Sequence, residues 1–126
     1  MKNFEELQAC IVDWADTHHL LCEENAEKQF MKFVEEAIEF KTEMDNVTGY
    51  LYRYKIKYPD KKMPGSISLS LKRRMMDEMG DVFVTLIILC EQLNISPQTC
   101  LAMAYDKIKD RKGKTINGTF VKEEDL

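Results

Sequence analysis

The sequence predicts an all-α protein, and three observations carry that prediction. Gly and Pro are sparse, 5 and 3 among 126 residues, so few positions interrupt a helix. Apolar residues recur at helical spacing in four separate stretches. Two acidic pairs, Glu36-x-x-Glu39 and Glu78-x-x-Asp81, lie inside two of those stretches, where residues three apart share one face of a helix.

The first helix is expected from about Phe4 to His18, with Asn3 as N-cap. Phe4, Leu7, Ile11, Trp14 and His18 fall at the spacing of one buried stripe. A second helix runs from about Glu24 into the mid-forties. Phe30, Phe33, Val34, Ala37 and Ile38 line its core side, Phe40 and Met44 its edge, and Gly49 interrupts or ends it. Pro59, Pro64 and Gly65 mark a loop. A third helix begins near Ser68 or Ser70 and reaches about Leu93, carrying the most apolar run of the chain, Val82 to Cys90. Ser96 and Pro97 suit the cap and first turn of a fourth helix, which carries Leu101, Ala104, Tyr105 and Ile108 and ends near Gly113. The Asn117-Gly118 pair then suits the type I′ turn of a short hairpin within the tail 113–126.

A length of 126 residues fits a single domain. The formal charge of −4 supplies no broad basic field, which argues against general nucleic-acid binding. Cys10, Cys22, Cys90 and Cys100 lack C-x-x-C spacing, so reduced thiols are expected rather than zinc or a disulfide framework. The start of the chain has no apolar signal region. Its longest apolar run is about half what a bilayer crossing needs. A cytoplasmic protein without a membrane partner is the expectation.

Two acidic pairs on facing helices would gather Glu36, Glu39, Glu78 and Asp81 into one pocket. Like charges so close repel, and a polyvalent cation or protonation relieves the cost. Glu78 and Asp81 open the apolar run, and acids so near a core need a partner. All-carboxylate sites suit Mg²⁺, Mn²⁺ or Ca²⁺. Neither pair contains the His of a di-iron Glu-x-x-His motif. Because Mg²⁺ completes its shell with water and substrate phosphates, the cluster points towards phosphate chemistry. Lys107 and Arg111, spaced i, i+4, could meet the phosphates, one as a point charge and the other as a fork. Each feature also has a plainer reading. Glu35, Glu36, Glu39 and Glu43 could form a solvated face, and Lys107 and Arg111 could cover apolar surface with their stems.

The segments Val34-Glu35-Glu36-Ala37-Ile38-Glu39, Asp77-Glu78-Met79-Gly80-Asp81-Val82 and Asp106-Lys107-Ile108-Lys109-Asp110-Arg111 together resemble the all-α nucleoside triphosphate pyrophosphohydrolases of the MazG-like branch. They match that family's E-E-x-x-E, its E-x-x-D and its terminal basic signature, in order, over about residues 30–112. The resemblance implies a four-helix bundle completed by oligomerisation into a homodimer or homotetramer. It also implies Mg²⁺-dependent cleavage of a nucleoside triphosphate between the α and β phosphates, releasing a monophosphate and pyrophosphate. Carried over by position, Glu36, Glu39, Glu78 and Asp81 hold Mg²⁺, or Mn²⁺ in its place. Glu39 and the adjacent Glu35 are the catalytic acids, and Lys107 and Arg111 contact the triphosphate.

The interval between the acidic motifs is longer than in compact members of the family. It holds Tyr50, Tyr52, Tyr54 and Tyr58 interleaved with Arg53, Lys55 and Lys57. Trp14, Tyr50 and Tyr54 are the aromatic candidates for a nucleobase, although Trp14 also suits the core and the tyrosines an interface. A non-catalytic helical module whose acids bind a cation or a basic partner is the competing class. The ordered set of two acidic pairs and a downstream Lys/Arg pair favours the enzyme.

Overall fold

The computed structural model describes residues 1–126. Four α-helices and one β-hairpin divide into two compact units, Met1–Asn94 and Ile95–Leu126. No single helix is long and apolar enough to cross a membrane.

The first unit holds α1 (Phe4–Thr17), α2 (Ala26–Lys57) and α3 (Gly65–Gln92). Asn3 caps α1 as its sequence position suggests. Its Oδ1 accepts from the Glu6 backbone N–H at 2.8 Å, and its Nδ2 donates back to Glu6 Oε1 at 3.2 Å. The long helices α2 and α3 are antiparallel: Gln29 bonds to Thr85, Arg74 pairs with Glu43, and Tyr50 shares a pocket with Ile67. Each contact pairs a residue further along one helix with one further back along the other. α1 packs on α3, with Phe4 and Phe83 edge to face at a centroid distance of 6.4 Å.

Three expectations about these helices need correcting. Gly49 does not end the second helix, which continues two further turns to Lys57. An internal Gly costs a helix only about 1 kcal/mol relative to Ala, and packing against α3 outweighs that. The third helix starts at Gly65, ahead of Ser68 and Ser70. Pro64 takes the cap, and its carbonyl accepts from Ile67 and Ser68. The buried stripe of α1 is also not the expected one. Phe4, Leu7, Trp14 and His18 are exposed, whereas Ala15 is fully buried and Gln8, Ile11 and Val12 are half-buried. The small Ala15 takes the most buried position of α1, and the large side chains stay at its flanks. On α2 the forecast is mixed. Phe33, Val34, Ala37, Phe40 and Met44 are half-buried, but Phe30 and Ile38 face outward.

The core is thin. Its buried apolar residues are Ala15, Val47, Leu71, Ile87 and Ile88. Accessible surface totals 10089 Å². A compact protein of this mass exposes about 7,000 Å², or about 8,000 Å² if its two units are counted as separate bodies. Much of the excess is apolar and lies on the long helices, including Met31, Ile38, Ile56 and Met76.

The second unit holds α4 (Pro97–Ile108), β1 (Gly113–Ile116) and β2 (Thr119–Lys122). Ser96 caps α4 through its Oγ, 3.2 Å from the Thr99 N–H, with Pro97 in the first turn. The hairpin forms around Asn117 and Gly118, both at positive φ, as a type I′ turn requires. α4 ends at Ile108 rather than near Gly113. Gly113 pairs with Lys122, and the Lys112 carbonyl accepts from Glu123, so the chain must unwind before these residues. A Cβ on Gly113 would lie 2.1 Å from the Val121 carbonyl oxygen, so only glycine fits there.

Candidate metal centre

Facing one another midway along the first unit, α2 and α3 bring together three of the four expected carboxylates. Glu36, Glu78 and Asp81 each present an oxygen, and these atoms lie within 4.8 Å of one another. Glu36 is 9% exposed, and acids so buried are rare unless paired. Its Oε1 lies 3.4 Å from Lys32 Nζ, and its Oε2 is buried with no hydrogen-bond partner. An orphaned buried carboxylate oxygen beside two more carboxylates suits a hard divalent cation. The donor set is all oxygen. Glu39, the fourth acid, stands outside this group and next to Glu36.

Protonation equilibria register the crowding. Glu39 is raised above the usual carboxylate range because the Glu36 carboxyl can accept its proton in a hydrogen bond and repels its charged form. Glu78 is raised by desolvation first, then by Asp81, Asp77 and Glu36. Asp81 is raised by desolvation and then by Glu36 and Asp77, with Lys32 acting the other way. Lys32 in turn is raised, chiefly by its hydrogen bond to Glu36. Asp77 therefore adds to the field of the cluster from the exposed side of α3.

Beside the carboxylates lies a cavity of about 390 Å³ lined by Trp14, Leu20, Gln29, Lys32, Glu36, Asp81, Val84, Thr85 and Ile88. Trp14 is half exposed and stacks on His18 at 4.5 Å. Its ring thus belongs to the wall of the acidic pocket and not to a closed core. Gln29 Nε2 reaches the Thr85 carbonyl at 3.3 Å, and Gln92 Nε2 ties Leu20 to the end of α3 at 2.7 Å. These bonds fix the pocket wall across elements far apart in sequence.

The other expected residues fall elsewhere. Glu35 is exposed and pairs with Lys32 at 3.4 Å. Tyr50 and Tyr54 lie on the last turns of α2 and line a different pocket, so of the three aromatic candidates only Trp14 shares a cavity with the carboxylates. Lys107 and Arg111 belong to the second unit, and they do not form an i, i+4 pair on one helix. Lys107 is in the last turn of α4, whereas Arg111 lies beyond its end, in a turn closed by its N–H to the Ile108 carbonyl at 3.0 Å. Space does not require a glycine at Gly80, since a Cβ there meets nothing within 4 Å.

Lys32 is the residue the motif reading missed. Its i, i+3 and i, i+4 spacing to Glu35 and Glu36 is visible in the sequence, but such spacing is common on solvated helices. Gln29 and Thr85 carry no such signal. Comparison with family models, curated proteins and solved structures finds no match.

Proposed function

We propose that this chain is a divalent-metal-dependent nucleoside triphosphate pyrophosphohydrolase, releasing a nucleoside monophosphate and pyrophosphate. The observation that carries the reading is the convergence of Glu36, Glu78 and Asp81 around a buried, unpartnered Glu36 oxygen. The ordered acidic and basic motifs, similar to those of the MazG-like family, select phosphate anhydrides as the substrate class.

Glu36, Glu78 and Asp81 would hold Mg²⁺ or Mn²⁺, with Glu39 next to them. Such a cation supplies neutralisation of phosphate charge and the acidity that makes water a nucleophile. Glu39 stands beside Glu36 and outside the three-carboxylate group, where it can accept a proton from water. Lys32 counters the Glu36 charge in the metal-free protein and can turn to a phosphate when a cation takes its place. Trp14, on the pocket wall, offers a flat face to the nucleobase. Lys107 and Arg111 are assigned to the outer phosphates on the family resemblance.

The uncovered apolar surface of the long helices supports assembly into a homodimer or homotetramer, within which a four-helix bundle would be completed. The test of function is product analysis. Nucleoside triphosphates incubated with the protein and Mg²⁺ should yield monophosphate and pyrophosphate in equal amounts, and nothing in EDTA. Metal binding without either product would instead make the chain a non-catalytic cation-binding module.

A further inference from the structure

At the far end of the α2–α3 pair is a second pocket, of about 370 Å³, lined by Tyr50, Arg53, Tyr54, Lys57, Tyr58 and Ile67. Its α2 residues fall at i, i+3, i+4 and i+7, with Tyr58 following at the C-cap, so one face of the last turns of α2 presents alternating rings and cations. Tyr54 and Tyr58 are in ring contact at 4.9 Å. The Tyr58 ring also has Lys57 Nζ at 5.5 Å and Lys61 Nζ at 5.3 Å from its centroid, so it is held in place.

This end is electrically distinct. Residues 50–62 contain Arg53, Lys55, Lys57, Lys61 and Lys62 against the single acid Asp60, in a chain whose net charge is −4. No carboxylate is paired with any of the five cations, whereas Lys32, Lys41, Arg74, Lys109 and Lys122 each have one. Compensation of the α2 C-terminal dipole would account for Lys55 and Lys57. It does not account for Arg53, which lies a turn further back, nor for the rings beside it. The first turn of α3 opens at the same end without an acid in it.

We propose that this pocket is a binding site for a nucleoside monophosphate, with the phosphate on Arg53 and Lys57 and the base against Tyr50 and Tyr54. Aromatic faces with adjacent cations are the chemistry that holds a base and its phosphate together. A volume of about 370 Å³ lies in the range of small-ligand pockets. The rest of the chain, acidic overall, would repel a longer strand running beyond it. The site is independent of the carboxylate cluster, since Arg53 stands 17 residues from Glu36, about 25 Å along the helix.

The test is calorimetric titration of the full-length chain with adenosine monophosphate in EDTA, where the carboxylate cluster is metal-free. One molecule should bind per chain. Arg53→Gln with Lys57→Gln should weaken it about tenfold or more, the loss of charge-assisted hydrogen bonds. Tyr54→Leu, which keeps an apolar side chain, should weaken it at least about fivefold. Asp81→Asn should leave the affinity unchanged, so this inference can fail while the pyrophosphohydrolase reading stands, and the reverse. No saturable binding up to about 10 mM, or equal binding by the double variant with its helical circular dichroism intact, would overturn the proposal. Inorganic phosphate binding as tightly as the nucleotide would overturn the base contact. An eight-nucleotide single strand binding far more tightly than the monophosphate would overturn the choice of a free nucleotide.

Discussion

The α2–α3 pair carries two charged regions of opposite sign, and they are built differently. At the middle, Glu36, Glu78 and Asp81 crowd together, with Glu36 buried and paired to Lys32, Glu78 half-buried and Asp81 exposed. At the far end, Arg53 and the lysines stand exposed among tyrosines with no acid paired to them. The middle concentrates like charge around one buried carboxylate, so a ligand or protons would relieve the repulsion there. The far end spreads its charge into solvent and depends on ring contacts for order. A substitution in the first should therefore act through metal and catalysis, and one in the second through anion binding.

The largest expected effect breaks the middle region. Asp81→Asn should lower kcat/KM for nucleoside triphosphates by more than about a hundredfold, since even partners behind metal ligands cost ten- to a hundredfold. Less repulsion remains, so the metal-free melting temperature should hold or rise, and the increment on adding Mg²⁺ should shrink. Calorimetry in EDTA and in Mg²⁺ measures both.

Leu71→Ala tests the structure that joins the two regions. Leu71 is 6% exposed on α3, and its truncation should cost about 2–5 kcal/mol in urea unfolding. Both regions should weaken together, unlike the outcome of a change at either one.

Arg111→Lys keeps charge and loses the forked donor geometry. A loss of about ten- to a hundredfold in kcat/KM is expected, similar for every base, because a phosphate contact carries no base information. A loss confined to one nucleotide would move Arg111 to the base.

Acidification separates the regions without mutation. Glu39, Glu78 and Asp81 have folded values above those of the unfolded chain. The native state thus holds these protons more tightly. The stability they contribute is full below the ordinary carboxylate range and is lost as pH rises through the raised values. Metal-free protein should melt higher at pH 5 than at pH 7. The gain should be smaller in Glu78→Gln and should vanish when Mg²⁺ fills the site. The smallest effect belongs to a solvated pair. Lys41 and Asp45 meet at 2.6 Å with both side chains more than half exposed, and Lys41→Ala should change stability by less than about 0.5 kcal/mol.

The two regions were also unequally legible in the sequence. Spacing finds Glu36, Glu78 and Asp81, because three-residue intervals on helices share a face, but the same interval also selects Glu39, which stands outside the group. The Asn3 and Ser96 caps and the Asn117-Gly118 turn are local chemistry and were equally readable. Gly49 misled because a propensity of about 1 kcal/mol is small beside the packing of two long helices. On α1, size marks the wrong stripe: the buried position is the small Ala15, and the bulky Phe4, Leu7 and Trp14 stay largely exposed. Periodicity extends the fourth helix over Arg111, because it does not register the competing pull of the Gly113–Lys122 pairing. Pocket walls such as Gln29 with Thr85 join residues 56 apart and leave no local trace.

Titration with Mn²⁺, followed by the loss of its free-ion electron paramagnetic resonance signal, tests the central claim most directly. Saturable uptake by the wild-type chain is predicted, at least about tenfold weaker in Asp81→Asn and unchanged in Arg53→Gln. Equal uptake by wild type and Asp81→Asn would contradict the assignment of the carboxylate cluster as a metal site.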